Sequence, residues 1–300
     1  MNKKIGFVGL GRMGKWMALN LLKAGCDMSV LDIDSEAVTF LTDQGASSCT
    51  APREMAGRVE TVFLSLPGTK AVEEVIFGES GLSEGASPGL NIVDLSTVSY
   101  MPCLTFAEKL EDRGILFSDA PVSGMEARAR DATLTVMFGG GRGNFDRLRP
   151  LLDVLGNEVL YMGEVGSGQL TKLINQLLFN ISAAGIAEVL PMAAKLGLDP
   201  EKVSRVINTG TGRSFASEFF TPLILKDIFD RGYPLKHAYK DFVSAAEICA
   251  GLKIPLPMVQ AAMTTFQMAL AKGHGEDGKG ALIKVFEDLL GVEFREKGGP

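Results

Sequence analysis

The stretch Lys3-Lys4-Ile5-Gly6-Phe7-Val8-Gly9-Leu10-Gly11-Arg12-Met13-Gly14 decides the fold of this chain. The short apolar run at residues 5–8 predicts a buried parallel strand, and three glycines follow it in a G-x-G-x-x-G spacing. An apolar-periodic segment that includes Trp16 then predicts a helix. A strand, a glycine turn and a helix in this order form the context that a dinucleotide-binding turn requires.

The three glycines have separate predicted roles. Gly9 permits the tight turn, Gly11 lets a pyrophosphate approach the backbone, and Gly14 lets the helix pack closely on the strand. The start of the helix offers free N–H groups and a partial positive charge to the phosphates. We therefore expect this turn to bind the cofactor through Gly9, Leu10, Gly11, Arg12, Met13 and Gly14.

A second predicted strand, at residues 28–31, ends at Asp32. This acid follows the glycines by about twenty residues, where a carboxylate would accept a hydrogen bond from the ribose 2′-OH. Asp34 adds a second acid, and neither arginine nor lysine occurs in 31–34, so a 2′-phosphate would be repelled. These residues predict NAD rather than NADP. The competing interpretation is a glycine turn in an unrelated α/β protein.

Composition limits the function classes. With 300 residues, 46% of them apolar and 22% charged, the chain can form one large or two ordinary globular domains. A net charge of −6 without a basic cluster argues against nucleic acid or an anionic membrane as partner. The scattered cysteines predict reduced thiols in a cytoplasmic protein, and no spacing typical of metal ligands occurs. We also expect no uninterrupted apolar stretch as long as a membrane span.

Strand and helix patterns alternate as far as Tyr161 and then give way to helices alone. The predicted strands cover residues 5–8, 28–31, 61–66, 91–95, 115–118, 133–138 and 158–161, and the later helices cover 169–196, 200–208, 219–230, 235–250, 257–272 and 278–290. The predicted fold class is α/β: a Rossmann-type doubly wound parallel sheet in a domain of residues 1–163, then an all-helical domain of residues 164–300. A long helix would join them.

The long helix is apolar on nearly every side, so we expect it to be buried all round. It would form the spine between two domains or part of an oligomer interface, which suggests at least a dimer. After Glu293 the tail is polar and glycine-rich, and we expect it to fray.

Three loops follow the carboxyl ends of predicted strands, where open α/β sheets bind ligands. They contain Leu66 with Pro67, Thr97, and Ser123 with Gly124. A hydroxyl and a tight backbone turn can present donors to a substrate carboxylate. For Ser123 and Gly124 taken alone, however, an ordinary turn is the favoured interpretation.

Lys172 and Asn175 are the strongest catalytic candidates. They are three residues apart near the start of the apolar helix and would share one helix face. Burial lowers the pKa of a lysine toward working pH, as a proton donor or acceptor requires. The alternative is a lysine whose stem reaches solvent from the helix end.

Lys240 and Asp241 form a second polar pair, for which a surface ion pair is the alternative. His237 and His274 are expected to be structural or exposed.

Taken together, these stretches resemble the β-hydroxyacid dehydrogenase family over nearly the whole chain. Four segments are similar to its motifs, in the family's order: 6–14, 119–124, Gly166-x-Gly168-x-x-x-Lys172-x-x-Asn175, and Lys240-Asp241. The resemblance implies an NAD-dependent oxidoreductase that interconverts a small 3-hydroxy acid and its semialdehyde. Substrates of the 3-hydroxyisobutyrate, tartronate semialdehyde or hydroxymethyl-dicarboxylate type are implied. We expect a homodimer or homotetramer, since the long apolar helix suggests at least a dimer.

The resemblance also implies roles for individual residues. Lys172 would be the general acid or base, and Asn175 would hydrogen-bond the reacting substrate. Ser123 and Gly124 would hold the substrate carboxylate, Thr97 would lie near the nicotinamide, and Lys240 near the cofactor. The chain departs from the family at Met125, where a second glycine is usual, and at Gln176, where a second asparagine is frequent. Met125 adds bulk where the carboxylate would bind.

Arg213, in the segment Gly210-Thr211-Gly212-Arg213-Ser214-Phe215, could bind a second carboxylate of the substrate. An ion pair within its own domain is the alternative. Three other readings of the chain remain open: a non-catalytic NAD-binding sensor or scaffold, a 6-phosphogluconate-dehydrogenase-like enzyme, and an imine-reducing enzyme. The identity of the hydroxy acid, the direction of the reaction and the number of subunits do not follow from the sequence.

Overall fold

Nine strands form one sheet in the first half of the chain, in a computed structural model that describes residues 3–296. They are β1 (Lys4–Val8), β2 (Asp27–Leu31), β3 (Ser47–Ser48), β4 (Thr61–Leu64), β5 (Asn91–Asp94), β6 (Leu116–Asp119), β7 (Val122–Ser123), β8 (Leu134–Gly139) and β9 (Gly156–Gly163). The order is β3-β2-β1-β4-β5-β6-β8-β7, with β9 paired to β8. Its first six strands are parallel and follow the Rossmann order, which reverses between β1 and β4.

Eight helices accompany this sheet within the described residues. They are α1 (Gly14–Lys23), α2 (Ser35–Thr42), α3 (Pro52–Ala56), α4 (Thr69–Phe77), α5 (Leu82–Gly85), α6 (Tyr100–Glu111), α7 (Met125–Arg130) and α8 (Arg142–Leu152). Successive side chains of a strand alternate between the two faces of a sheet. Phe63 accordingly joins one apolar cluster while its neighbours Val62 and Leu64 join another, so both faces of the sheet are covered.

The second half of the chain is helical. Its helices are α9 (Ser167–Lys195), α10 (Pro200–Thr209), α11 (Phe215–Leu225), α12 (Leu235–Leu252), α13 (Pro257–Ala271) and α14 (Ile283–Leu290), with short 3-10 helices at His274–Glu276 and Lys279–Leu282. The chain divides into two compact units, Met1–Lys172 and Leu173–Pro300, and the second has its own apolar core. The start of α9 therefore belongs to the first unit and the rest of the helix to the second.

Two predicted helices have different bounds in the structure. The helix predicted at 219–230 is α11, which begins earlier because Ser214 and Ser217 form a capping box at its start. It also ends earlier, shortly before Asp227 adopts a left-handed φ of 57°. The helix predicted at 278–290 is a 3-10 turn followed by α14. The shortest elements, such as β3 and β7, have too few residues to show a periodic pattern.

The expectation that the long helix is buried all round is wrong. Ile174, Leu178, Val189 and Met192 are each more than half exposed and follow one face of α9. Apolar composition alone cannot tell which face of a helix the chain covers. By length and composition α9 is long and apolar enough to cross a membrane, although polar residues such as Asn180 and Glu188 interrupt its apolar run. Core helices of soluble proteins pass the same test, so this helix does not indicate a membrane protein.

The expectation of a frayed tail is wrong for its first residues. Phe294 is fully buried, and its N–H donates to Glu287 Oε1 at 2.8 Å. The Arg295 guanidinium bonds both Glu287 and Asp227, at 2.6 and 2.8 Å. An apolar anchor and a nearly buried carboxylate thus hold this segment on the helical unit. The rest of the predicted tail, residues 297–300, lies outside the described part of the chain.

Candidate functional site

The glycine turn after β1 has the geometry that its spacing predicts. Gly9 has a φ of +93°, and a side chain there would meet the Ser65 carbonyl oxygen. A side chain at Gly14 would clash with the Gly9 carbonyl oxygen, so both glycines are required by the protein's own packing. At Gly11 a Cβ would meet no atom within 4 Å. Open space beside Gly11, at the N-terminal end of α1, leaves room for a pyrophosphate against the backbone.

Asp32 follows β2 and touches this turn. Its Oδ2 accepts a hydrogen bond from the Leu10 N–H, and its Oδ1 accepts one from the Asp34 N–H at 2.8 Å. Asp34 in turn caps α2 by accepting from the Glu36 N–H at 2.9 Å. Ile33 is fully exposed. The ribose end of the predicted cofactor site is therefore acidic and open.

The other residues of the glycine turn connect it to α7. Met13 is the half-buried N-cap of α1. Arg12 is mostly exposed, and its Nε lies 3.3 Å from Glu126 Oε2. Trp16 Nε1 donates to the other oxygen of Glu126 at 3.2 Å. These hydrogen bonds lower the pKa of Glu126 and tie the segment after Ser123 to the helix that begins the cofactor turn.

The predicted carboxylate-binding loop has an unusual backbone at its end. Ser123 is the last residue of β7, and Gly124 follows with a φ of 145°. Met125 then adopts a φ of 62°, in the left-handed region that favours glycine, and its side chain is 39% exposed. Two successive residues of this loop thus have a positive φ, although methionine occupies the second position.

Loops after β4 and β5 are joined by hydrogen bonds. The Leu66 N–H donates to Ser96 Oγ at 2.8 Å, whereas Pro67 is exposed and Thr97 is half-buried. A second hydrogen bond fixes Ser96 to the end of β5, because its N–H donates to Asp94 Oδ1 at 2.9 Å. The predicted cofactor residues Leu66 and Thr97 are therefore attached to one serine.

The start of α9 is held by Asp119, at the carboxyl end of β6. Asp119 Oδ1 accepts from the Gly166 N–H at 2.6 Å, and Oδ2 accepts from the Gln169 N–H at 2.7 Å. Gly166 has a left-handed φ of 92°, and a Cβ on Gly168 would clash with the Met137 carbonyl oxygen. These contacts explain both glycines of this motif: one makes the turn and the other allows the helix to lie against β8.

Gln169 connects the same helix to the loop after β5. Its side chain is buried, with Nε2 donating to the Ser96 carbonyl oxygen at 2.8 Å and Oε1 accepting from the Val98 N–H at 3.1 Å. Lys172 follows one turn later and is 8% exposed. The first unit thus places Lys172 on a helix start that is bonded to the ends of both β5 and β6.

Two carboxyl groups are buried side by side beneath these loops. Asp94 and Asp119 are opposite each other on β5 and β6, and both are fully buried. Burial raises the pKa of Asp94 to about 7, against the effect of its hydrogen bonds with Ser96. Burial likewise raises the pKa of Asp119 to about 6, opposed by the N–H groups of Gly166 and Gln169. Among residues 3–296, Asp94 Oδ2 has no hydrogen-bond partner.

The raised pKa of Asp94 predicts a pH dependence of stability. Its carboxyl binds a proton more tightly in the folded than in the unfolded state, so its contribution is full below pH 3.8 and is lost as pH rises through about 7. Asp94→Asn removes this loss and keeps an acceptor for Ser96. Relative to wild type, the variant should gain up to about 4 kcal/mol in unfolding free energy between pH 4 and 8, since each pKa unit corresponds to roughly 1.4 kcal/mol. Urea unfolding at both pH values measures this, and an unchanged difference would contradict it.

Other predicted site residues belong to the second unit. Asn175 is exposed, and its Nδ2 donates to Gln176 Oε1 at 3.4 Å. Arg213 is exposed, with its Nε 3.5 Å from Glu218 Oε1, a loose ion pair within its own unit. Lys240 is half-buried on α12; burial lowers its pKa, and Asp241 opposes that effect.

The described part of the chain contains no group of three His, Cys, Asp or Glu side chains able to hold a metal ion. His274, expected to be structural or exposed, has its Nδ1 2.9 Å from Asp277 Oδ2. Sequence reasoning missed Asp94, the capping role of Asp119, and Gln169. Asp119 begins the segment 119–124 and Gln169 lies between Gly168 and Lys172. Their places in these two motifs were the only sequence indication that either residue contributes to the site.

Family models match both parts of the chain. Residues 4–163 match the NAD-binding domain of 6-phosphogluconate dehydrogenase, and residues 166–286 match the domain described as NAD-binding of NADP-dependent 3-hydroxyisobutyrate dehydrogenase. Together the two models span most of the sequence. The match of the first confirms the NAD-binding fold that the glycine spacing predicts.

Relatives of known name match over nearly their full length. The chain is 37% identical over 290 residues to 2-(hydroxymethyl)glutarate dehydrogenase of Eubacterium barkeri, with 96% of each chain covered. It is 34% identical over 284 residues to 2-hydroxy-3-oxopropionate reductase of Escherichia coli, covering 95% of this chain and 97% of the relative. The solved structure of a 3-hydroxyisobutyrate dehydrogenase from Salmonella typhimurium matches with a TM-score of 0.87 at 29% identity, over 95% and 100% of the two chains.

Proposed function

The chain belongs to the β-hydroxyacid dehydrogenase family of NAD-dependent oxidoreductases, and from this premise we propose that it interconverts a small 3-hydroxy acid and the corresponding semialdehyde with Lys172 as general acid and base. One observation carries the role of Lys172. It is a nearly buried lysine on a helix start that Asp119 and Gln169 bond to the carboxyl ends of the sheet, where this fold binds its ligands.

The alternatives left open by the sequence are not favoured. Relatives that match along the whole chain are a dehydrogenase of a hydroxy acid and a reductase of an oxo acid, whereas a sensor or scaffold needs no proton donor. The same matches favour a hydroxyacid dehydrogenase over a decarboxylating or an imine-reducing enzyme. These relatives act on small carboxylic acids according to their names, and this is the substrate class that we propose here.

The cofactor fits the residues around the glycine turn. Gly11 leaves space for the pyrophosphate, the N–H groups at the start of α1 would bind it, and Asp32 would accept from the ribose hydroxyl. Leu66, Pro67, Thr97, Arg12 and Lys240 complete the proposed cofactor set. The nicotinamide, when bound, supplies or accepts the hydride. Acidic residues at the ribose end support NAD over NADP, because a 2′-phosphate would lie near Asp32 and Asp34.

The protein's own groups would manage the proton and the carboxylate. Lys172 would donate its proton to the carbonyl oxygen during reduction and accept one during oxidation, and as a cation it would stabilise the developing alkoxide. Asn175 would hydrogen-bond the reacting oxygen. Ser123 and Gly124 would bind the carboxylate, and the exposed Met125 side chain would limit the size of the group beside it.

Arg213 is the proposed site for a second anionic group. Its ion pair with Glu218 is long and exposed, so the pair contributes little energy and a substrate carboxylate could replace Glu218. This supports a dicarboxylate, as in the substrate named for the Eubacterium relative.

We place the enzyme in the cytoplasm as a homodimer or homotetramer, with no nucleic-acid or membrane partner. The exposed apolar face of α9 supports self-association, because a second copy could cover Ile174, Leu178, Val189 and Met192. Light scattering of the purified protein measures its mass, and a monomer would contradict this part of the proposal.

The test of the function is a nicotinamide absorbance assay of the wild-type enzyme. NADH or NADPH would be offered with short semialdehydes, and NAD or NADP with 3-hydroxy acids that carry one or two carboxylates. We expect turnover of a 3-hydroxy acid, a higher kcat/KM with NAD than with NADP, and a preference for two carboxylates. Binding of NADH without turnover of any compound would contradict the proposed activity. Equal kcat/KM values for both cofactors would contradict only the proposed NAD preference.

A further inference from the structure

Gln169 makes an unusual pair of hydrogen bonds to one loop. Its amide nitrogen donates to the Ser96 carbonyl oxygen at 2.8 Å, and its amide oxygen accepts from the Val98 N–H at 3.1 Å. These two backbone groups flank Thr97, the residue that we assign to the nicotinamide. The side chain is 3% exposed, so water cannot easily replace either bond.

The loop that Gln169 holds is fixed on its other sides as well. The Ser96 N–H donates to Asp94, and Ser96 Oγ accepts from the Leu66 N–H. The backbone of Gln169 itself donates to Asp119 at 2.7 Å. One residue therefore connects the ends of β5 and β6 to the first turns of α9, and through Ser96 it also reaches the loop after β4.

Lys172 lies three residues after Gln169 on α9, so the two residues are neighbours on one face of the same helix. The position of Gln169 therefore determines the position of Lys172. We propose that Gln169 is a positioning residue that sets the distance between Thr97 and Lys172, and so between the hydride position and the proton donor. This inference rests on the proposed function, because it takes Lys172 as the acid–base group. Only a side chain with one donor and one acceptor at this length can satisfy both Ser96 and Val98.

Gln169→Met tests the proposal, because methionine has a similar length but lacks the amide. We expect kcat to fall about 10- to 100-fold, since a small misplacement of reacting groups costs this much. The KM for the hydroxy acid and the Kd for NADH should change far less than kcat. The matched control is Gln44→Met, the same change at an exposed position after α2, which should leave all three constants unchanged.

A second variant keeps the test decisive if Gln169→Met folds poorly. Gln169→Asn retains the amide but is one methylene too short to reach both backbone groups, and it should lower kcat in the same way. Circular dichroism would report the folding of each variant, and fluorescence titration with NADH would report its cofactor binding. Loss of NADH binding in both variants would overturn the proposal, since Gln169 would then support the fold rather than position Lys172.

Lys172→Ala, measured alongside, separates this inference from the proposed function. If kcat collapses in Lys172→Ala but is unchanged in Gln169→Met, the positioning role is wrong and the proposed activity stands. If Lys172→Ala retains normal turnover, the proposed function fails. If KM or Kd rises in Gln169→Met as much as kcat falls, the residue supports binding in general and the positioning role is again wrong.

Discussion

Lys172→Ala is expected to lower kcat about 10²- to 10⁴-fold, which is the usual contribution of general acid–base catalysis. Lys172 is nearly buried on α9, within a helix start that Asp119 caps with two hydrogen bonds. Those bonds go to backbone N–H groups and do not involve the lysine side chain. Removing the ammonium should therefore leave the helix start and NADH binding intact, while the proposed proton donor is lost.

The matched control for this variant is Lys195→Ala at the other end of the same helix. Lys195 is exposed and its Nζ donates to the Leu290 carbonyl oxygen at 2.9 Å, so its removal should affect only local stability. A small primary amine added to Lys172→Ala should restore part of the activity by replacing the lost donor. Near-normal turnover of Lys172→Ala without added amine would refute the assignment.

Gly11→Val is expected to weaken NADH binding by more than about 100-fold in Kd while leaving the fold unchanged. A Cβ at Gly11 meets no protein atom within 4 Å, and its backbone needs no left-handed φ, so the apo protein has room for the start of a side chain there. The same space is where the pyrophosphate would approach the backbone. Loss of two hydrogen bonds to a charged group, at about 1.5–3 kcal/mol each, should raise Kd by more than about 100-fold.

Gly143→Val is the control for this prediction. Gly143 lies in the first turn of α8, and a Cβ there also meets no atom within 4 Å. It is outside the proposed cofactor set, so its substitution should alter neither thermal stability nor NADH affinity. Fluorescence titration with NADH and a thermal melt of each variant give the comparison. Unchanged affinity in Gly11→Val would show that the cofactor does not lie against this turn.

The parts of the fold that the sequence predicted are those that depend on neighbours along the chain. The run at 5–8, the glycines after it and Asp32 are local features, and each lies where the pattern predicts. Because the strands are parallel, their carboxyl ends lie at the same edge of the sheet, which is why the loops after them could be predicted to meet there. By contrast, β3 and β7 have two residues each, too few to show a period.

The contacts that hold the candidate site were not predictable in this way. Asp119 accepts from an N–H 47 residues further along, and Gln169 donates to a carbonyl 73 residues back. Neither partner is a side chain, so no pairing of residue types marks it. The exposed face of α9 was missed for a related reason. An apolar residue type favours burial, but it does not show whether another part of the same chain packs against that residue.

The left-handed backbone at Met125 has a consequence for how this enzyme could diversify. Methionine pays about 1–2 kcal/mol for that conformation, whereas glycine would avoid this strain but lose roughly 0.5–1 kcal/mol through the greater freedom of its unfolded chain. The difference favours glycine by at most about 1.5 kcal/mol, a small part of the roughly 5–15 kcal/mol that stabilises a folded domain. The fold therefore tolerates either residue at this single position, and an exchange would change the side chain beside the proposed carboxylate site without a stabilising change elsewhere.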